Sequence, residues 1–144
     1  MTTVRLRVPS PALIVACLAL FAALGGSTYA ATSAGTTTLH FTTITNFKNT
    51  WRPAPSTVYA RPGYARDSSG VVHLRGVIYD GASNTTAFTL PRAVRPNHLV
   101  YVQVFTQSGV TGTVLIQSDG EVIPFGGNVG GLTSLDGISF AAGE

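Results

Sequence analysis

From residue 58 onward the chain is a string of short β-prone runs, each closed by Gly, Pro, Asp, Asn or Ser, the pattern of strands joined by turns. Residues 71–79 are predicted as one strand, with Val72, Leu74 and Ile78 on one face and His73, Arg75 and Tyr79 on the other. The preceding Asp67-Ser68-Ser69-Gly70 is a turn, in which Asp can bond forward to the backbone and Gly can take positive φ. Residues 86–90 form a strand stopped by Pro91, and residues 99–105 a strong strand after Pro96-Asn97. Residues 113–117 and 121–124 flank Ser118-Asp119-Gly120, a hairpin signal. A glycine-rich loop, residues 126–131, precedes the last strand, residues 138–140. No window has a 3.6-residue period. About eight strands in about 90 residues predict an all-β fold, a β-sandwich of jelly-roll-like kind.

Upstream of the sandwich the pattern changes. Residues 31–50 are Thr/Ser-rich; their first half reads as a solvated linker, and residues 39–47 as a first strand or one that pairs with a neighbouring chain. Trp51-Arg52-Pro53-Ala54-Pro55 is expected to end any regular element, because each Pro lacks an N–H donor. Trp51 itself is expected to anchor the entrance of the domain. The predicted organisation is thus a targeting segment over residues 1–30, a linker or first strand over 31–50 and a sandwich domain over 51–144.

The targeting segment has the three parts of a secretory signal peptide. Arg5 and Arg7 precede 13 apolar residues, 12–24, and small residues follow. That run, helical before cleavage, is shorter than the roughly 20 residues a membrane-spanning helix needs. Thr28-Tyr29-Ala30 puts small residues at the −3 and −1 positions, so cleavage is expected between Ala30 and Ala31. The alternative is an uncleaved anchor, which would be the chain's one membrane contact. Ile14-Val15-Ala16-Cys17 has the residue types of a lipobox, but most of the apolar stretch follows Cys17, which reads as a small residue within it.

Composition narrows the function classes. The 144 residues are 44% hydrophobic and 10% charged, which excludes a highly charged disordered tail, and one Cys excludes a disulfide scaffold. Removing residues 1–30 leaves 114 residues without Cys, with seven cations against six anions. There is no basic stripe interleaved with aromatics, so nucleic acid is not an expected partner. A disulfide-free domain of this size would gain from oligomerisation.

Candidate chemistry is sparse. His40, His73 and His98 have no metal-ligand spacing, so no metal and no cofactor is implied. Asp67, Asp119 and Asp136 each sit beside turn residues and are expected to bond to the backbone there, with a calcium loop as the competing reading. There is no Gly-x-Ser-x-Gly elbow, no His-Glu-x-x-His and no Cys nucleophile after residue 30, so no catalytic residue is assigned. The 126–131 loop lacks the Lys and Ser/Thr of a phosphate loop. Asn84-Thr85-Thr86 matches a glycosylation sequon, but behind a bacterial-looking export signal its use is not expected. His73, Arg75 and Tyr79 remain as binding candidates: an aromatic ring with cationic donors suits a sugar, although the same face would also suit a subunit contact.

Four blocks together resemble the C-terminal, receptor-binding head domains of phage tail fibres. They are residues 64–76 (Tyr-Ala-Arg-Asp-Ser-Ser-Gly-Val-Val-His-Leu-Arg-Gly), Phe88-Thr89-Leu90-Pro91 with Arg95-Pro96, Val114-Leu115-Ile116 with Asp119-Gly120-Glu121-Val122, and Leu135-Asp136-Gly137-Ile138-Ser139-Phe140. The resemblance spans about residues 51–141. It implies a β-sandwich head, usually trimeric, that binds surface glycans or cell-wall polymers without catalysis. The export segment is similar to those of secreted actinobacterial proteins and sets the chain apart from tail fibres, which assemble in the cytoplasm. The expectation is an exported, stand-alone relative of the head. A structural subunit of an extracellular assembly is the alternative, and a hydrolase a third.

Overall fold

The computed structural model describes residues 38–143, so the predicted signal segment, its Ala30/Ala31 cleavage point and residues 31–37 lie outside the described residues. Eleven strands form among them: β1 (Thr42–Thr43), β2 (Arg52–Pro53), β3 (Gly63–Arg66), β4 (Val71–Arg75), β5 (Val77–Tyr79), β6 (Phe88–Thr89), β7 (Val100–Phe105), β8 (Thr111–Ile116), β9 (Glu121–Phe125), β10 (Thr133–Ser134) and β11 (Ser139–Ala141). Their sheets run β1-β3-β4-β11, β6-β9-β8-β7 and β10-β5-β2, antiparallel at each pairing. The fold is an all-β sandwich, as the pattern of short runs predicts.

The core follows from period-two burial. Val72 and Leu74 of β4 and Phe140 of β11 pack with Phe88 of β6, Val104 of β7, Val114 and Ile116 of β8 and Val122 of β9. Leu135 and Ile138 complete it from the last connection. Full burial of each large apolar side chain contributes about 1.5–3 kcal/mol, so this layer holds the sheets together without a disulfide.

Residues 71–79 are not one strand. Gly76 takes φ +90°, and its N–H and C=O leave the ladder for the Asp136 carboxylate (2.8 Å) and the Leu135 N–H (2.8 Å). A Cβ there would lie 2.6 Å from the carbonyl carbon of Arg61, so the bend requires glycine. The chain passes at this point from the first sheet to the three-stranded one, and alternation is lost: Val77 and Ile78 are both buried.

Other boundaries also shift. Of residues 39–47 only β1 is strand, although Ile44 is buried and Phe47 meets Phe88 edge-on at 6.0 Å. The expected break at Trp51–Pro55 instead contains β2, which pairs with β5 at a sheet edge, where a proline's missing donor is tolerated. Residues 86–90 shorten to β6, while β3 and β10, which no alternation announced, form by pairing with β4 and β5. Trp51 is the expected anchor: it is buried, its Nε1 donates to Thr85 Oγ1 (3.0 Å), and its ring fills the space where Gly81 has no side chain.

Candidate functional site

The polar group predicted on residues 71–79 divides. His73 and Ser139 are cross-strand partners on β4 and β11. The flanking backbone bonds run from Leu74 N–H to Ile138 O (2.9 Å) and from Ala142 N–H to Gly70 O (3.0 Å). The His73–Ser139 pair is therefore the non-hydrogen-bonded kind, whose side chains stand closest. The ring Nδ1 lies 2.9 Å from Ser139 Oγ and Nε2 3.0 Å from Asp67 Oδ2. Asp67 Oδ1 accepts the Ser69 hydroxyl (2.6 Å) and the N–H groups of Ser69 and Val71 (2.9 Å each). These donors, the Ser69 hydroxyl first and the His73 ring next, hold the Asp67 carboxyl well below the usual carboxylate range.

Asp, His and Ser are the residue types of an acyl-transfer relay, and the strand pattern did not bring Asp67 or Ser139 to His73. The surroundings are those of a staple. Both Asp67 oxygens are engaged internally, and neither His73 nor Ser139 lines the clefts at this end of the sandwich. The trio ties the 67–70 turn to β4 and β11.

Arg75 shares the His73 face, with its guanidinium carbon 4.2 Å from the centre of the Phe41 ring, a cation–π contact. Its Nε is buried with no partner among the described residues. Tyr79 lies beyond the Gly76 bend on β5, opposite Arg52, in a different sheet. The predicted row of three thus becomes a pair plus a separate residue, because the strand that would have aligned them is broken.

The turn carboxylates act largely as expected: Asp67 caps its own turn, Asp119 accepts the Glu121 N–H (3.0 Å), and Asp136 reaches across to Gly76. Among the described residues no three His, Cys, Asp or Glu side chains group as metal ligands, and no helix is long and apolar enough to cross a membrane.

A surface that strand prediction left unremarked is the outer face of the β7–β8–β9 sheet. Val104, Val114, Ile116 and Val122 point into the core, so Tyr101, Phe105, Leu115, Ile123 and Phe125 point outward. Tyr101 is 62% exposed and Phe105 63%, although both are large apolar residues. Tyr101 and Phe125 meet at 6.4 Å with ring planes at 90°. β7 is also the edge strand, and Val-Tyr-Val-Gln-Val-Phe contains no charge or Pro to guard it. The available signal was apolar residues on both faces of one antiparallel strand, where a solvated outer face would alternate with polar residues.

No family model matches the chain, and no curated protein matches its sequence. Its structure is similar to the crystal structure of the receptor binding protein (gp15) of Listeria phage PSA, with a TM-score of 0.61 and 19% sequence identity. The match covers 92% of this chain and 79% of that one. At that identity the likeness is one of fold.

Proposed function

We propose that this chain is an exported, non-catalytic binding module that recognises a glycan or another cell-surface polymer as a homotrimer. The observation that carries the proposal is the fold shared with a phage receptor binding protein over 92% of the chain. The tail-fibre-like sequence blocks and the signal-like N-terminus support the same function and an extracellular location. Self-association has separate support in the outer face of β7–β8–β9. β7 and β8 carry no charged side chain, and Glu121, bonded to Thr86 (3.1 Å), stands at the β6 side of the face, so a second uncharged face can cover the β7–β8 part without burying charge. The perpendicular Tyr101 and Phe125 rings do not make a flat stacking platform for sugar, which favours another copy of the chain as the occupant.

The test is to recover the chain from the culture medium of an expressing bacterium and apply it to a glycan array and to intact bacteria. Expected are an N-terminus at Ala31, saturable binding and no turnover of the ligand. Binding to neither array nor cells, with assembly unaffected by sugars, would favour the structural-subunit alternative.

A further inference from the structure

The cations gather at one end of the sandwich, where residues 91–98, the 67–70 turn, the β8–β9 hairpin and the C-terminal segment meet. A cleft of about 380 Å³ there is lined by Arg66, Asn97 and His98. A second, of about 280 Å³, is lined by Arg92, Arg95 and Ser118. The two adjoin, sharing Pro96, Asn97 and Gly143 as lining. Three of the seven cations that follow residue 30 thus face a joined pair of clefts, and among the described residues no carboxylate lines either one.

Two of these guanidinium groups are held by backbone carbonyls and not by a carboxylate of the described residues. Arg66 donates from Nη1 to Ala93 O (3.2 Å), and Arg95 from Nε to Leu90 O (2.8 Å). Each guanidinium has five N–H donors, so most remain on offer to a ligand. The nearest acid in sequence, Asp67, is occupied by its turn and by His73. Among the described residues the pairing of an arginine with a carboxylate is Arg52–Asp80, which does not involve the cleft arginines. Arg95 is also fixed by shape: a Cβ at Gly120 would lie 2.6 Å from its Nε, so the hairpin tip packs directly on the guanidinium stem.

Resting on the polymer-binding function above, we infer that these joined clefts are its anionic subsite. They take an oxyanion, a phosphodiester or a carboxylate, carried on a sugar or polyol chain. The guanidinium fork matches either oxyanion with paired N–H donors, and Asn97 and Ser118 supply neutral partners for neighbouring hydroxyls. Among the described residues no Phe, Tyr or Trp lines the clefts, and His98 is their one ring, so they lack the row of stacking platforms of a single-strand nucleic-acid groove.

The experiment is calorimetric titration of the full chain with four probes: a glycerol-phosphate polymer, alginate as a polyuronate, dextran as a neutral polymer, and a single-stranded DNA oligonucleotide. One polyanion is expected to bind saturably, the glycerol-phosphate polymer if the site takes phosphodiesters and alginate if it takes carboxylates. Its affinity should fall at least about tenfold between 50 and 300 mM salt. Arg92→Gln should weaken binding about fivefold and the pair Arg66→Gln/Arg92→Gln at least about tenfold. Arg92 is exposed and its side chain bonds to none of the described residues, so its variant reads binding and not folding. Dextran bound equally well by the wild type and the variants would overturn the anionic subsite and leave the polymer-binding function standing. Equal or tighter binding of DNA would overturn the assignment to a sugar or polyol chain. No binding of any probe would overturn the subsite, and the array and cell test above then decides the parent function separately.

Discussion

Replacing Tyr101 and Phe105 by Ser should turn the proposed trimer into monomers without unfolding the chain. Both side chains lie on the outer face of edge strand β7 and are 62% and 63% exposed, so the folded monomer gains little from them. An aromatic side chain offers about 200 Å² of surface, so roughly 125 Å² of each ring remains for a neighbour to cover. At about 25 cal/mol per Å², that is about 3 kcal/mol per ring at each contact. Loss of two rings would weaken association by about two orders of magnitude per contact even if only half of that value is realised. The monomer loses the Tyr101–Phe125 contact and some strand propensity, about 1–2 kcal/mol, which is less than the stability of an ordinary domain. Light scattering over a hundredfold range of concentration provides the assay, with far-ultraviolet circular dichroism as the check on folding. The wild type should hold a trimeric mass, and the double variant should be monomeric with an unchanged spectrum. A monomeric wild type, or a variant that keeps the wild-type mass, would refute the assignment of this face.

Two further changes probe the scaffold. Asp67→Asn should lower the melting temperature at neutral pH, because the native turn holds the carboxylate charged through Ser69, His73 and Val71. The native carboxyl is depressed, so its stabilisation is complete above the unfolded value near pH 4 and is lost as the pH falls through the lower native value. The gap between wild type and variant should therefore narrow as the pH falls below about 4; a gap that does not narrow there would count against the charge. Gly81→Ala should overlap the Trp51 ring, which its bond to Thr85 and its burial hold in place. The expected loss is about 2–3 kcal/mol, a fall of about 10 °C or more in the melting temperature, followed through the emission of the single Trp. An unchanged melting temperature would show that the indole has room to move.

Features that depend on neighbours within a few residues are legible in the chain before it folds. The two-residue period makes Val72 and Leu74 core residues wherever β4 lies, and Asp119 closes the β8–β9 hairpin by accepting the Glu121 N–H two residues on. Trp51 was legible as an anchor because a lone large aromatic beside two prolines has little else to do. The tertiary structure alone decided whatever depends on distant partners. Gly76 reads in sequence as one residue of a continuous strand, and it becomes a bend because Asp136 and Leu135, about 60 positions away, take its hydrogen bonds. Two-residue strands such as β2 and β10 have no period to display and exist only through the register of β5. The candidate sites follow the same rule. His73, Arg75 and Tyr79 appeared together because they alternate along one segment, and the bend separated them. Arg66, Arg92 and Arg95 sit on segments with no shared pattern, and they meet because the 67–70 turn and residues 91–98 pack at the same end of the sandwich. Alternation along a strand is a local steric consequence of the backbone; which strands share a sheet is set by burying one common core.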